Sequence, residues 1–144
     1  MSSHTTERNE RFKMIEIETK VDVDGRSFYG ELGMIESTML GYEDHGIFTF
    51  NLVFKFPGSG QGAGNFALDQ WDEEKDRRIG SAVGLDLIIK VLETAGVGKW
   101  ESLKGRQLIV LREDNWGLIK GLLNPLTRKA LIFDDHFKEW GIGN

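Results

Sequence analysis

Between Gly41 and Asp69 the chain reads GYEDHGIFTFNLVFKFPGSGQGAGNFALD. From Ile47 to Phe56 the side chains alternate, with Phe48, Phe50, Leu52, Phe54 and Phe56 on one side and Thr49, Asn51, Val53 and Lys55 on the other. A two-residue period of this kind is that of a half-buried β-strand. Pro57 cannot donate to a strand ladder and closes the run. Gly58, Gly60, Gly62 and Gly64 then recur at every second position, which predicts a flexible glycine loop before Asn65–Leu68 resumes an extended pattern. Ahead of the strand, Glu43, Asp44 and His45 occupy a turn closed by Gly46.

Outward from this stretch the same period continues toward the amino terminus. Ile15–Val23 alternates apolar and charged residues, Asp24-Gly25 supplies a two-residue hairpin turn, and Arg26–Leu32 returns as a second strand. Gly33 permits a bend into a third extended segment, Met34–Tyr42, which completes an antiparallel meander. Residues 1–11 are polar and aperiodic, so a disordered tail is expected there, followed by one α+β domain over residues 12–144.

Toward the carboxyl terminus, Asp69–Arg78 reads DQWDEEKDRR, a charged surface excursion anchored by Trp71. Ser81 is placed to cap a helix that runs to about Ala95 and stops at Gly96, with Leu85, Ile88, Ile89, Leu92 and Ala95 at helical spacing. Its wide apolar surface predicts cover on most sides, against the sheet or at a subunit interface. Gln107–Arg112 and Leu118–Leu123 read as strands, the second closed by Pro125, and Leu131–Trp140 as a short final helix. The expected fold is therefore α+β, an antiparallel sheet of about six strands packed against one main helix, with a short carboxyl-terminal helix.

Composition narrows the chemistry. At 144 residues and 16.3 kDa the chain is the size of one domain. The absence of cysteine removes disulfides, thiolate metal sites and a cysteine nucleophile together. A formal charge of -5 argues against direct binding to nucleic acid, whose phosphates are met by Lys and Arg. No apolar run approaches the roughly 20 residues that span a bilayer, and the first residues hold no apolar secretory core, so no membrane contact and a cytoplasmic location are expected.

Glu43-Asp44-His45 admits three readings. A carboxylate beside His45 would make it a general acid or base, with Asp44 orienting the ring; His45 and Asp44 would form part of a metal site only with a carboxylate from elsewhere such as Asp69; or the triplet is a polar hairpin turn. No metal-ligand spacing is present, so neither a metal nor another cofactor is expected. The glycine segment lacks the Lys and Ser/Thr of a phosphate loop, leaving the amides of Gly60 and Gly62 and the side chain of Gln61 as its binding groups, or a purely structural β-loop. Ser81 at the helix start, with Arg77 and Arg78 just before it, is a candidate anion site, a feature that any capped helix partly shares. Arg106, Arg112 and Lys120 add either local positive charge or surface solubility.

GYEDHGI at 41–47, GSGQGAG at 58–64 followed by Ala67-Leu68-Asp69, Gly80-Ser81-Ala82 with Gly84, and Gly96-Val97 with Trp100-Glu101, Leu103 and Gly105 together resemble a widespread family of small phage and prophage proteins of uncharacterised function. The pattern covers residues 34–112. Ala63 and Asn65 depart from it, standing where a larger residue and glycine are common, and the hairpin before Met34 is an addition. The resemblance implies an accessory protein in the cytoplasm of an infected bacterium, an oligomer, that counters defence by binding. Its partner would be a host defence protein such as a CRISPR effector, or a nucleotide signal. The alternatives are a small nucleotide or phosphoester hydrolase using His45, and a structural or replication-associated phage protein.

Overall fold

The structure, a computed structural model, describes residues 20–142. The expected tail and the first positions of the first expected strand lie outside the described residues. Among the described residues are the strands β1 (Lys20–Val23), β2 (Arg26–Tyr42), β3 (Phe48–Phe56), β4 (Ser59–Gly64), β5 (Asp69–Asp72) and β6 (Arg77–Gly80). The helix α1 (Ala82–Ala95) follows, then a 3-10 turn at Trp100–Ser102, β7 (Gln107–Arg112), β8 (Ile119–Leu123), β9 (Ala130–Ile132) and α2 (Phe133–Glu139). All the strand pairings are antiparallel, and the main sheet runs in the order β4-β3-β2-β7-β8-β9. Two meanders, β2-β3-β4 and β7-β8-β9, are thus joined side by side through the β2–β7 pair.

The fold is the expected α+β arrangement, an antiparallel sheet with one main helix and a short final one, and four local departures have physical causes. β2 is one strand of 17 residues rather than two broken at Gly33. Gly33 is there because a Cβ would lie 2.5 Å from the Phe56 ring, and the irregularity falls instead between Ile35 and Ser37. The glycine segment is not a loop but strand β4: Gly60, Gly62 and Gly64 face Lys55, Val53 and Asn51 across the ladder. A Cβ at Gly62 would sit 3.0 Å from the Asn51 amide, so the missing side chains let β4 lie close to β3. The charged excursion is the hairpin β5–β6, in which Trp71 pairs with Arg78. Ala130–Ile132 forms an edge strand, and α2 starts only at Phe133, because Asn124 Oδ1 accepts from the N–H groups of Leu126 and Thr127 and turns the chain back beside β8.

The sheet's two faces carry different cores. Ile35, Phe50, Leu52, Phe54, Leu108, Val110 and Leu122 meet Leu87, Val91 and Ala95 of α1, with Leu103 and Phe133 closing the ends. The opposite face of β7 and β8 places Leu111 and Leu123 against Val21, Val23 and Phe28 of the first hairpin. Burial on both faces explains why QLIVLR is a continuous apolar run instead of an alternating one. α1 lies close to the chain before β5, since a Cβ on Gly84 would stand 2.4 Å from the Leu68 carbonyl oxygen. Ser81 caps α1 as expected, its Oγ accepting from Gly84 N at 3.0 Å, and Gly96 ends it at φ 74°.

Candidate functional site

β3 is nine residues long, about 26 Å at the usual strand rise, and it separates the sequence candidates into two groups. At its start lie the Glu43-Asp44-His45 turn and, beside Phe48, the segment carrying Asp69, Arg77, Arg78 and Ser81. Leu68 N donates to Phe48 O at 2.8 Å and Thr49 Oγ1 to Phe66 O at 2.6 Å, which ties the segment to the strand. At its other end lie Gln61, Gly60 and Gly62. The structure does not bring Gln61 and the glycines together with the histidine turn.

In the turn, Glu43 rather than Asp44 partners the histidine. Glu43 Oε1 accepts from His45 N at 2.7 Å and Ile47 N at 3.3 Å, and Oε2 stands 3.2 Å from His45 Nδ1. Burial raises the Glu43 carboxyl, but the hydrogen bonds from His45 and from the Ile47 and His45 backbone outweigh it and hold the group below its ordinary value. The His45 side chain is 85% exposed and lines neither of the cavities described below. Among the described residues no three His, Asp or Glu side chains cluster in a metal-binding arrangement.

The second group is built on a buried carboxylate. Asp69, whose side chain is 6% exposed, accepts from Arg78 Nη2 at 2.9 Å, and the same nitrogen donates to Asp69 O at 3.0 Å. The Arg78 bond is the main cause that holds the Asp69 carboxyl below its ordinary value, while the same bond raises Arg78. Arg78 Nε is buried without a protein partner. Arg77 points outward and reaches the Arg78 carbonyl at 3.3 Å. Ser81 Oγ both accepts from Gly84 N and donates to Leu68 O at 3.1 Å, so the helix-start hydroxyl is committed to the fold.

Two grooves share Ser81 in their linings. One, of about 630 Å³, has Phe66, Val83 and Phe137 as its floor, with Asp69, Gln70, Asp134 and Lys138 around it. The other, of about 500 Å³, is lined by Leu40, Phe48, Leu68, Leu85 and Ile88 and is apolar apart from Ser81. Phe66, Phe137 and Lys138 were not among the sequence candidates. They converge only because Asn65, at φ 66°, turns the chain after β4 and sets Phe66 against Phe133 and Phe137, with ring centroids 4.9 and 5.1 Å apart.

At the far end, Arg112 is not a surface charge. Its side chain is 7% exposed, Nη1 donates to Glu31 Oε1 at 2.8 Å, Nε and Nη2 donate to Gln61 Oε1 at 3.0 and 2.6 Å, and the guanidinium lies 5.2 Å from the Phe56 ring centroid. Gln61 Nε2 in turn donates to Gly117 O at 3.0 Å, which draws β4 toward the start of β8 and curls the sheet. Gln61 therefore serves as a tie between strands.

Comparison with family models, with curated proteins and with solved structures found no match to this chain. Among the described residues no helix is long and apolar enough to cross a membrane.

Proposed function

We propose that this is a phage accessory protein that counters bacterial defence by occupying a host defence protein, not by turning over a substrate. The phage setting rests on the sequence pattern between Gly41 and Gly105. The binding mode rests on the larger groove: an aromatic floor of Phe66 and Phe137 under a polar rim of both signs, Asp134 and Lys138, suits a protein segment whose apolar side chains fill the floor while its polar groups meet the rim. A nucleotide signal is less well served there. Asp69 and Asp134 both face the groove, Arg78 is engaged by Asp69, and Ser81 is engaged by Leu68 and Gly84, so little is left to neutralise phosphate. A hydrolase built on His45 would work on an open turn with no walls to position a substrate or exclude water.

The test is to express the chain in bacteria armed with single defined defence systems, CRISPR effectors among them, and to count plaques of a phage that each system restricts. Ala67 is exposed and also lines the larger groove, so restored plating is expected against one system, to be lost with Ala67→Arg or Lys138→Glu and kept with His45→Ala. Loss of protection in folded His45→Ala, with both groove variants still active, would replace this reading by the hydrolase. Plating that never recovers under any system rejects it.

A further inference from the structure

The main sheet has two edge strands, β9 and β4. β9 is three residues long, and an edge that short is a poor template for another strand. β4 has six residues, and its ladder with β3 fixes which of its backbone groups are used. Along an antiparallel ladder, residues that bond the neighbour alternate with residues that turn both groups away from it. The two-residue turn Pro57-Gly58 makes Phe56 and Ser59 a bonded pair, and at the other end Asn65 N donates to Phe50 O at 2.7 Å. Ser59, Gln61 and Ala63 are therefore spent on β3, while Gly60, Gly62 and Gly64 direct N–H and C=O to the open side. Gly60 and Gly62 are exposed, and among the described residues the outward groups of the three glycines meet no other backbone partner.

A row of unpaired amides and carbonyls is matched by an extended backbone, and the symmetry of this row selects a second β4. The glycines are centred on Gly62. Laid antiparallel about a two-fold axis at Gly62, two copies set Gly62 against Gly62 and Gly60 against Gly64, and each of these pairs exchanges both of its hydrogen bonds. β4 carries no charge and no proline, and its register has no bulge, so it lacks the devices by which an edge strand repels a copy of itself. Leu118 supplies an independent observation. β4 and β8 run the same way, being separated by four antiparallel steps, and Gln61 is bonded to Gly117, so Leu118 falls level with Gly62. It lines a cleft with Gly62 and Gly64 and is 73% exposed. The axis that pairs the glycines brings the two Leu118 side chains together and takes them out of water.

We propose that the protein is a homodimer joined through β4, its two-fold axis at Gly62, so that the main sheets of the two copies continue into one another and Leu118 meets its counterpart beneath the paired strands. The alternating glycines then have a second role beside close contact with β3: they carry the backbone groups of the interface.

Sedimentation equilibrium of the full chain is expected to give twice 16.3 kDa. Leu118→Asp sets two carboxylates together at the axis and is expected to give a monomer with unchanged circular dichroism. Gly62→Pro removes the central outward donor, which β3 does not use, and should also give a monomer. Gly62→Ala places the same Cβ beside Asn51 but keeps the N–H, and should remain a dimer. The chain has no cysteine, so Leu118→Cys carries the only thiol, and a short bis-maleimide should link the two copies. In hydrogen exchange followed by NMR, the Gly60, Gly62 and Gly64 amides should be protected in the wild type and exchange freely in Leu118→Asp. A wild-type monomer at tens of micromolar would overturn the proposal and leave this edge for a strand of a different protein. A dimer whose Gly60 and Gly62 amides exchange freely, or one that survives both Leu118→Asp and Gly62→Pro, would place the interface elsewhere.

Discussion

The two ends of β3 are each held by an arginine and a carboxylate, and they are built in opposite senses. At the Gln61 end the arginine is the buried partner: Arg112 is 7% exposed and Glu31 27%. At the Ser81 end the carboxylate is buried, Asp69 at 6% against Arg78 at 33%. Arg112 uses all three guanidinium nitrogens and lies near the Phe56 ring, whereas Arg78 uses only Nη2 and leaves Nε without a partner. A fully satisfied network inside a curled sheet fixes the relation between strands, and a partly satisfied one sits beside the grooves. The Arg112 end is therefore the more fully tied of the two, and the Asp69 end is the one that borders the grooves.

The sharpest way to break that contrast is Arg112→Ala. It leaves the Glu31 carboxylate and the Gln61 amide without their donor, and it should cost on the order of 3 kcal/mol in urea denaturation. Replacing Arg112, Glu31 and Gln61 together by apolar residues of similar volume should cost less than the single change, because no unpaired polar group remains. If Arg112→Ala left stability unaltered, the guanidinium would not be holding the sheet.

Arg78→Ala should cost less and should depend on pH in a defined direction. Its partner's carboxyl is held below the ordinary 3.8, mainly by the Arg78 bond, so that stabilisation is complete above 3.8 and is lost as pH falls through the lower value in the folded protein. The stability difference between wild type and Arg78→Ala should therefore be largest near neutrality and close as the pH drops below 3.8. A difference that stays constant down to acid pH would mean that Arg78 acts by packing and not by charge.

The same contrast shows what the sequence could carry. Strand alternation from Phe48 to Phe56, the Ser81 cap and the Gly96 stop are local signals, and each element appears where those residues put it. Arg112 and Gln61 are 51 positions apart, and no local pattern distinguishes a buried arginine from a soluble one at a strand end. The glycine strand misled for a related reason: alternating glycines signal freedom along the chain, while here their missing Cβ atoms serve contact across a ladder with Asn51 and Phe54. The larger groove was hidden because Phe66, Ser81 and Phe137 come from three separate elements. Asp69, Arg78 and Ser81 were singled out for binding, and all three engage partners within the fold.

The smallest effect belongs to an exposed ion pair in the turn that leads into β3. Glu43 and His45 meet across a four-residue turn, with His45 85% exposed, so water competes for every contact the pair makes. Two of the Glu43 bonds nevertheless come from backbone N–H groups of His45 and Ile47, and a Gln side chain can accept both. Glu43→Gln should thus keep the turn and lower the thermal midpoint less than Arg78→Ala. The carboxyl is held below its ordinary 4.5, so even that small loss should fade as the pH falls through and below 4.5, where the wild-type carboxylate also takes up a proton. A loss at neutral pH larger than that of Arg78→Ala would reverse the ranking and make this turn, not the Asp69 hairpin, the part of the surface whose shape depends on charge.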